Sequence, residues 1–129
     1  YAVPGQMVYI TANHDKFNTI LLNVNIDGAG YKIGASTFSL FNLPEKLQSR
    51  AQALLKKHPK IVEGALWPQG DHSIFLQFGR PAIAVSSQWF TENIDAQSIT
   101  HTPKDNLDIV DCTKLVEIAT AIQNFIKEL

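Results

Sequence analysis

Three kinds of polar side chain stand where a strand gives way to a loop, the place in open α/β sheets where ligands gather. Asp27 follows the apolar run Ile20-Leu21-Leu22-Asn23-Val24-Asn25-Ile26 directly. Ser86 and Ser87 end a second run, Ala82-Ile83-Ala84-Val85. His101 stands in the loop that leaves this second run, within Thr100-His101-Thr102-Pro103. A carboxylate and an imidazole converging at such a place suit zinc, which accepts both ligand types. Each also has a plainer reading: Asp27-Gly28 is common turn chemistry, and His101 is an exposed loop histidine.

Other constellations carry less. Asp71-His72-Ser73 holds the residue types of a hydrolytic triad, but contiguous residues on a helix point in different directions. The expectation there is a capping Asp71 and a packed or hydrogen-bonded His72. Gly28-Ala29-Gly30 lacks the third glycine and following helix of a dinucleotide loop. Asp105, Asp108 and Asp111 recur every third residue without the glycine and spacing of a calcium loop, and read as a solvated loop plus a helix cap.

The elements that must position these groups follow from periodicity. Gly5 to Asn13 reads as a short helix, and Asn18 to Ile26 as a strand buried on both faces. Ala35 to Phe41 reads as a second strand. Pro44 opens a helix through about Lys57, with apolar positions at Leu47, Ala51, Leu54 and Leu55. Asp71 to Phe78 forms a short helix stopped by Gly79, and Ala82 to Ser86 another strand. Gln88 to Asp111 reads mostly as loop. Asp111 caps a last helix whose stripe is Leu115, Ile118, Ala119, Ile122, Phe125, Ile126 and Leu129. Alternating strands and helices predict one α/β domain over residues 1–129, three-layered α/β/α with a mostly parallel twisted sheet.

Composition narrows the function classes. The 129 residues carry 11 basic and 12 acidic side chains, a formal charge of -1, which gives no basic footprint for nucleic acid or an anionic membrane. The longest apolar runs fall far short of the ~20 residues that span a bilayer. Cys112, the single cysteine, excludes an internal disulfide, leaves the cellular compartment open and reads as a small packed residue.

Taken together, three segments become specific. Leu22-Asn23-Val24-Asn25-Ile26-Asp27-Gly28 resembles the strand-end N-x-D segment of the co-catalytic di-zinc aminopeptidases. Gly70-Asp71-His72-Ser73-Ile74-Phe75, with Gly79-Arg80-Pro81-Ala82-Ile83, is similar to their D-H-x-x-F and G-x-P-A-I segments, and Ile99 to Asp105 to their H-T-P-x-D segment. The same superfamily includes glutamate carboxypeptidases, glutaminyl cyclases and the non-catalytic transferrin receptor ectodomain.

The resemblance implies a zinc-dependent aminopeptidase acting on peptides, with two zincs per intact site. Asp27 would ligate one and His101 the other. Asp71 would stand beside the catalytic carboxylate without touching metal, and His72 would not be a ligand. The Trp67 and Trp89 regions would line a side-chain pocket or pack in the core.

The family also needs an H-x-D segment and a Glu-Glu pair ahead of the N-x-D strand. Here His14-Asp15 is not H-x-D, and Glu45, the first glutamate, follows Asp27. The expectation is therefore a C-terminal portion of a catalytic domain that binds zinc weakly or not at all and is inactive alone. It would self-associate through uncovered sheet edges. A non-catalytic interaction domain, or a carboxypeptidase or cyclase of the same fold, stays open.

Overall fold

At the centre of the sheet β2 (Ser36–Phe41) lies against β4 (Ala82–Ser87), and every residue of both strands is buried. They run antiparallel, with Phe38 opposite Val85 and Leu40 opposite Ile83. The computed structural model describes residues 4–129. β1 (Asn23–Ile26) adds to β4 in parallel and β3 (Ile61–Glu63) adds to β2 in parallel, giving the order β1-β4-β2-β3. Two of the three pairings are thus parallel.

Strand alternation sorts the side chains into two cores. On one face Phe38, Leu40, Ile83 and Val85 pack against α2 (Glu45–Lys57) through Ala51 and Leu54. Ile118, Ala121 and Phe125 of α5 (Cys112–Lys127) join them. On the other face Phe41, Ala82 and Ala84 pack with Trp67, Leu76 of α3 (His72–Gln77) and Phe90 of α4 (Gln88–Asn93). Helices therefore cover both sides, as the α/β/α layering requires.

Five sequence expectations change. Cys112, expected to be a small packed residue, is exposed at the first position of α5 (Cys112–Lys127). Only Asn23–Ile26 of the first strand is extended; residues 14–19 form a 3₁₀ turn that buries Phe17 against Phe75 and Phe78 of the α3 region. That aromatic contact outweighs the strand propensity of the segment. The β1 strand also carries Asn23 and Asn25 on the α3 side, so it is not apolar on both faces. The 88–111 region holds α4, capped by the Ser87 hydroxyl, and a 3₁₀ turn at Leu107–Ile109. Asp71 does not cap α3: its backbone is already helical and its side chain makes no cap bond. The short helix before the first strand is present as α1 (Pro4–Asn13), and Asp111 does cap α5, accepting from the Thr113 N–H at 2.8 Å.

Candidate functional site

Asp27 takes its position from the end of β1, where its N–H donates to the Val85 carbonyl of β4 at 3.0 Å. The chain must then turn sharply, and Gly28 does so with φ at +64°. A side chain there would be strained in this conformation, and its Cβ would lie 3.1 Å from Ser86 Oγ. The turn sends residues 28–34 across the carboxyl ends of β1 and β4.

His101 arrives from the other direction. Its loop is built by side chains that satisfy backbone groups: Gln97 Oε1 accepts from the N–H groups of Ile99 and Thr100 at 2.7 and 2.9 Å. Thr102 Oγ1 donates to the Ile99 carbonyl at 2.7 Å. At the apex His101 itself has φ of +62°, the left-handed region that histidine visits more readily than most residues.

The two segments meet. Asp27 and His101 line one cavity of about 290 Å³, together with Tyr31, Trp89, Phe90 and Asp105. Tyr31 and Trp89 pack with their rings tilted by 41° and centroids 4.7 Å apart to form an aromatic wall. Asp105, which spacing alone assigned to a solvated loop, belongs to this cavity; its place in the His-Thr-Pro-x-Asp segment was the signal.

Ser87 also lines this cavity, with its hydroxyl engaged in capping α4 by accepting from the Phe90 N–H at 3.4 Å, and Ser86 is buried beneath the Gly28 turn. The remaining candidates lie elsewhere. Asp71 accepts from Gln6 Nε2 at 2.6 Å and lines a separate groove with Tyr9, Ile74 and Phe75, between α1 and α3. Trp67 is a core residue. His72 is fully buried under the β1 strand: Nε2 is 2.9 Å from the Trp67 carbonyl and Nδ1 is 3.4 Å from Asn25 Nδ2. A carbonyl only accepts and an amide NH₂ only donates, so the network assigns the proton to Nε2. Burial pushes the imidazole below its ordinary value of 6.5; the Trp67 bond and the charges of Asp27 and Asp71 oppose this without reversing it. Both ring nitrogens are used internally, which leaves His72 no free lone pair for a metal.

The donor types in the cavity suit zinc, but Asp27, His101 and Asp105, which all line it, do not converge into a complete site. Among the described residues no three His, Cys, Asp or Glu side chains come together in a way that would hold a metal ion. A catalytic zinc takes three protein ligands. Asp27 and His101 therefore fit as contributors to a metal site and not as the whole of one.

Residues 5–126 match Peptidase family M28. The structure superposes on that of an aminopeptidase from Aneurinibacillus sp. strain AM-1 with a TM-score of 0.71 at 19% identity. The match covers 95% of this chain and 29% of that one, so the chain spans less than a third of its neighbour. No curated protein matches the chain. At that identity the neighbour establishes the fold; the family match covers nearly the whole sequence, and the chain belongs to Peptidase family M28.

Proposed function

We propose that the chain is the part of a zinc-dependent aminopeptidase domain that contributes one ligand to each of two zinc ions, Asp27 to one and His101 to the other. The observation that carries this reading is the shared cavity: two segments far apart in sequence bring a carboxylate and an imidazole to one wall-lined space at the carboxyl ends of β1 and β4. Membership of Peptidase family M28 supports a metallopeptidase.

Zinc, when bound, supplies Lewis acidity and a nucleophile at neutral pH. The chain's own residues would do the holding and shaping. Asp27 is fixed at its backbone by the β4 ladder, and His101 by the Gln97 and Thr102 bonds of its loop. Tyr31, Trp89 and Phe90 give the cavity apolar walls that would exclude water and receive the N-terminal side chain of a peptide. The resemblance assigns the general base to a glutamate outside these 129 residues, and no glutamate precedes Asp27. The isolated chain is then expected to bind zinc weakly and to hydrolyse nothing.

The experiment is a calorimetric zinc titration of the chain together with an aminoacyl-nitroanilide assay. Weak or undetectable binding and no turnover are expected; robust turnover by the chain alone would refute the division of the site. In a longer protein that supplies the other ligands, Asp27→Asn and His101→Ala should each abolish turnover, and substrate profiling would separate aminopeptidase from carboxypeptidase or cyclase action. A non-catalytic interaction domain is the second reading, favoured by the incomplete donor set. Tight zinc binding once those ligands are supplied would remove it.

A further inference from the structure

The loop that follows Asp27 is held by an internal cation. Lys114, the third residue of α5, reaches back with its ammonium to three backbone carbonyls: Tyr31 at 2.8 Å, Lys32 at 3.0 Å and Gly34 at 2.6 Å. An ammonium has three N–H donors and no acceptor, so three carbonyls satisfy it completely. Three carbonyl oxygens drawn to one point repel one another unless a positive charge stands between them. A cation in the first turn of a helix also opposes the helix dipole. The position of Lys114 is thus unfavourable for α5 alone and is accounted for by the loop it gathers.

Around this clamp the same loop is fastened to the segment leading from His101 into α5. Tyr31 bridges Val110, the Lys32 N–H donates to the Ile109 carbonyl at 3.0 Å, and the Asp111 N–H donates to the Gly30 carbonyl at 2.8 Å. Gly30 lies so close to Leu115 that a Cβ there would be 2.6 Å from Leu115 Cδ2. Tyr31, whose carbonyl is held by Lys114, presents its ring to Trp89 in the cavity wall.

We propose that Lys114 is a positioning residue for the cavity: its ammonium sets the shape of the 28–34 loop and so fixes Tyr31 relative to Asp27 and the His101 segment. The bearing of this clamp on catalysis rests on the reading of Asp27 given above; the clamp itself does not. No readout below involves zinc or hydrolysis, so the two ideas fail separately.

In the unaltered, nitrogen-15-labelled chain, lysine-selective ammonium spectra near neutral pH should contain a slowly exchanging NH₃⁺ signal. It should couple through hydrogen bonds to the carbonyl carbons of Tyr31, Lys32 and Gly34. Its absence from the folded chain would overturn the proposal without any variant. In Lys114→Met, amide exchange in residues 29–35 should accelerate by roughly tenfold or more, as removal of hydrogen bonds to a charged donor implies, while β2 and β4 keep their protection. Unchanged exchange in that loop, or an equal acceleration everywhere, would refute a local clamp. In Lys114→Ala, added n-propylammonium should restore loop protection and n-propanol should not; equal rescue by both would mean that lost packing, and not charge, is what matters.

Discussion

His72 is a fully buried titratable side chain, and its chemistry gives the sharpest expectation at the residue scale. Replacing it with alanine leaves the Trp67 carbonyl and the Asn25 amide without their partner and opens space beneath β1. A loss of about 2–4 kcal/mol is expected, from one buried and one part-buried bond and a partly collapsed cavity, read as a shift of the urea midpoint. The pH dependence follows from the depressed value. The fold holds the ring neutral, whereas the unfolded chain takes up a proton near 6.5, so below that pH the unfolded state binds more protons. Stability contributed by the neutral ring is complete above 6.5 and falls as the pH drops beneath it, down to the lowered folded value. Asp111 acts in a separate window: the Thr113 hydroxyl, then the Thr113 N–H, hold its carboxyl below 3.8. Its contribution is present above 3.8 and is lost as the pH falls through the depressed value. Urea midpoints between about pH 8 and about pH 5 should therefore be level and then decline, and His72→Gln should flatten the decline. A decline of equal slope in that variant would assign it to other groups.

At the scale of elements, α5 separates what periodicity can tell from what packing decides. A period of 3.6 marks out a wide apolar stripe, but the stripe does not say which part a neighbour covers. Here α2 and the sheet cover Ile118 and Phe125, together with Ala121, which the expected stripe left out, and leave Leu115, Ala119, Ile126 and Leu129 of that stripe exposed. Phe125→Ala, at a site 2% exposed, should cost about 3–5 kcal/mol, and Ile126→Ala, at 54% exposed, less than about 1 kcal/mol. Equal costs in urea denaturation would mean the register of α5 is wrong. The other elements missed in the sequence are short. β3 has three residues, too few to show alternation, and exists because Ser36 and Thr37 pair with Ile61 and Val62. α4 reads as polar loop until Ser87 is recognised as its cap. The convergence of Asp27 and His101 on one cavity was legible because each sits in a local segment whose residue order is distinctive. The packing of Tyr31 against Trp89 and the reach of Lys114 to residue 34 depend on long-range closure, which no local pattern encodes.

For the whole molecule, the strand order leaves β1 at an edge of the sheet, paired with β4 on one side only. The Asn23 and Asp27 N–H groups point to that side, donating to Pro81 and Val85, so the alternation of the strand turns those of Val24 and Ile26 away from β4. Beside this row of backbone groups Leu21 is 76% and Ile26 55% exposed. Unpaired backbone flanked by apolar side chains is a template for another strand, and a net charge of -1 supplies little repulsion between copies. Concentration-dependent self-association through β1 is therefore expected, visible by sedimentation velocity across the micromolar range. Ile26→Lys places a charge on that edge without touching either core cluster, and should return the chain to a monomer with its urea midpoint nearly unchanged. If the parent chain is already monomeric across that range, the edge is not adhesive. If the variant associates as strongly as the parent, the contact lies elsewhere, and the exposed Met7 and Val8 of α1 become the next surface to charge.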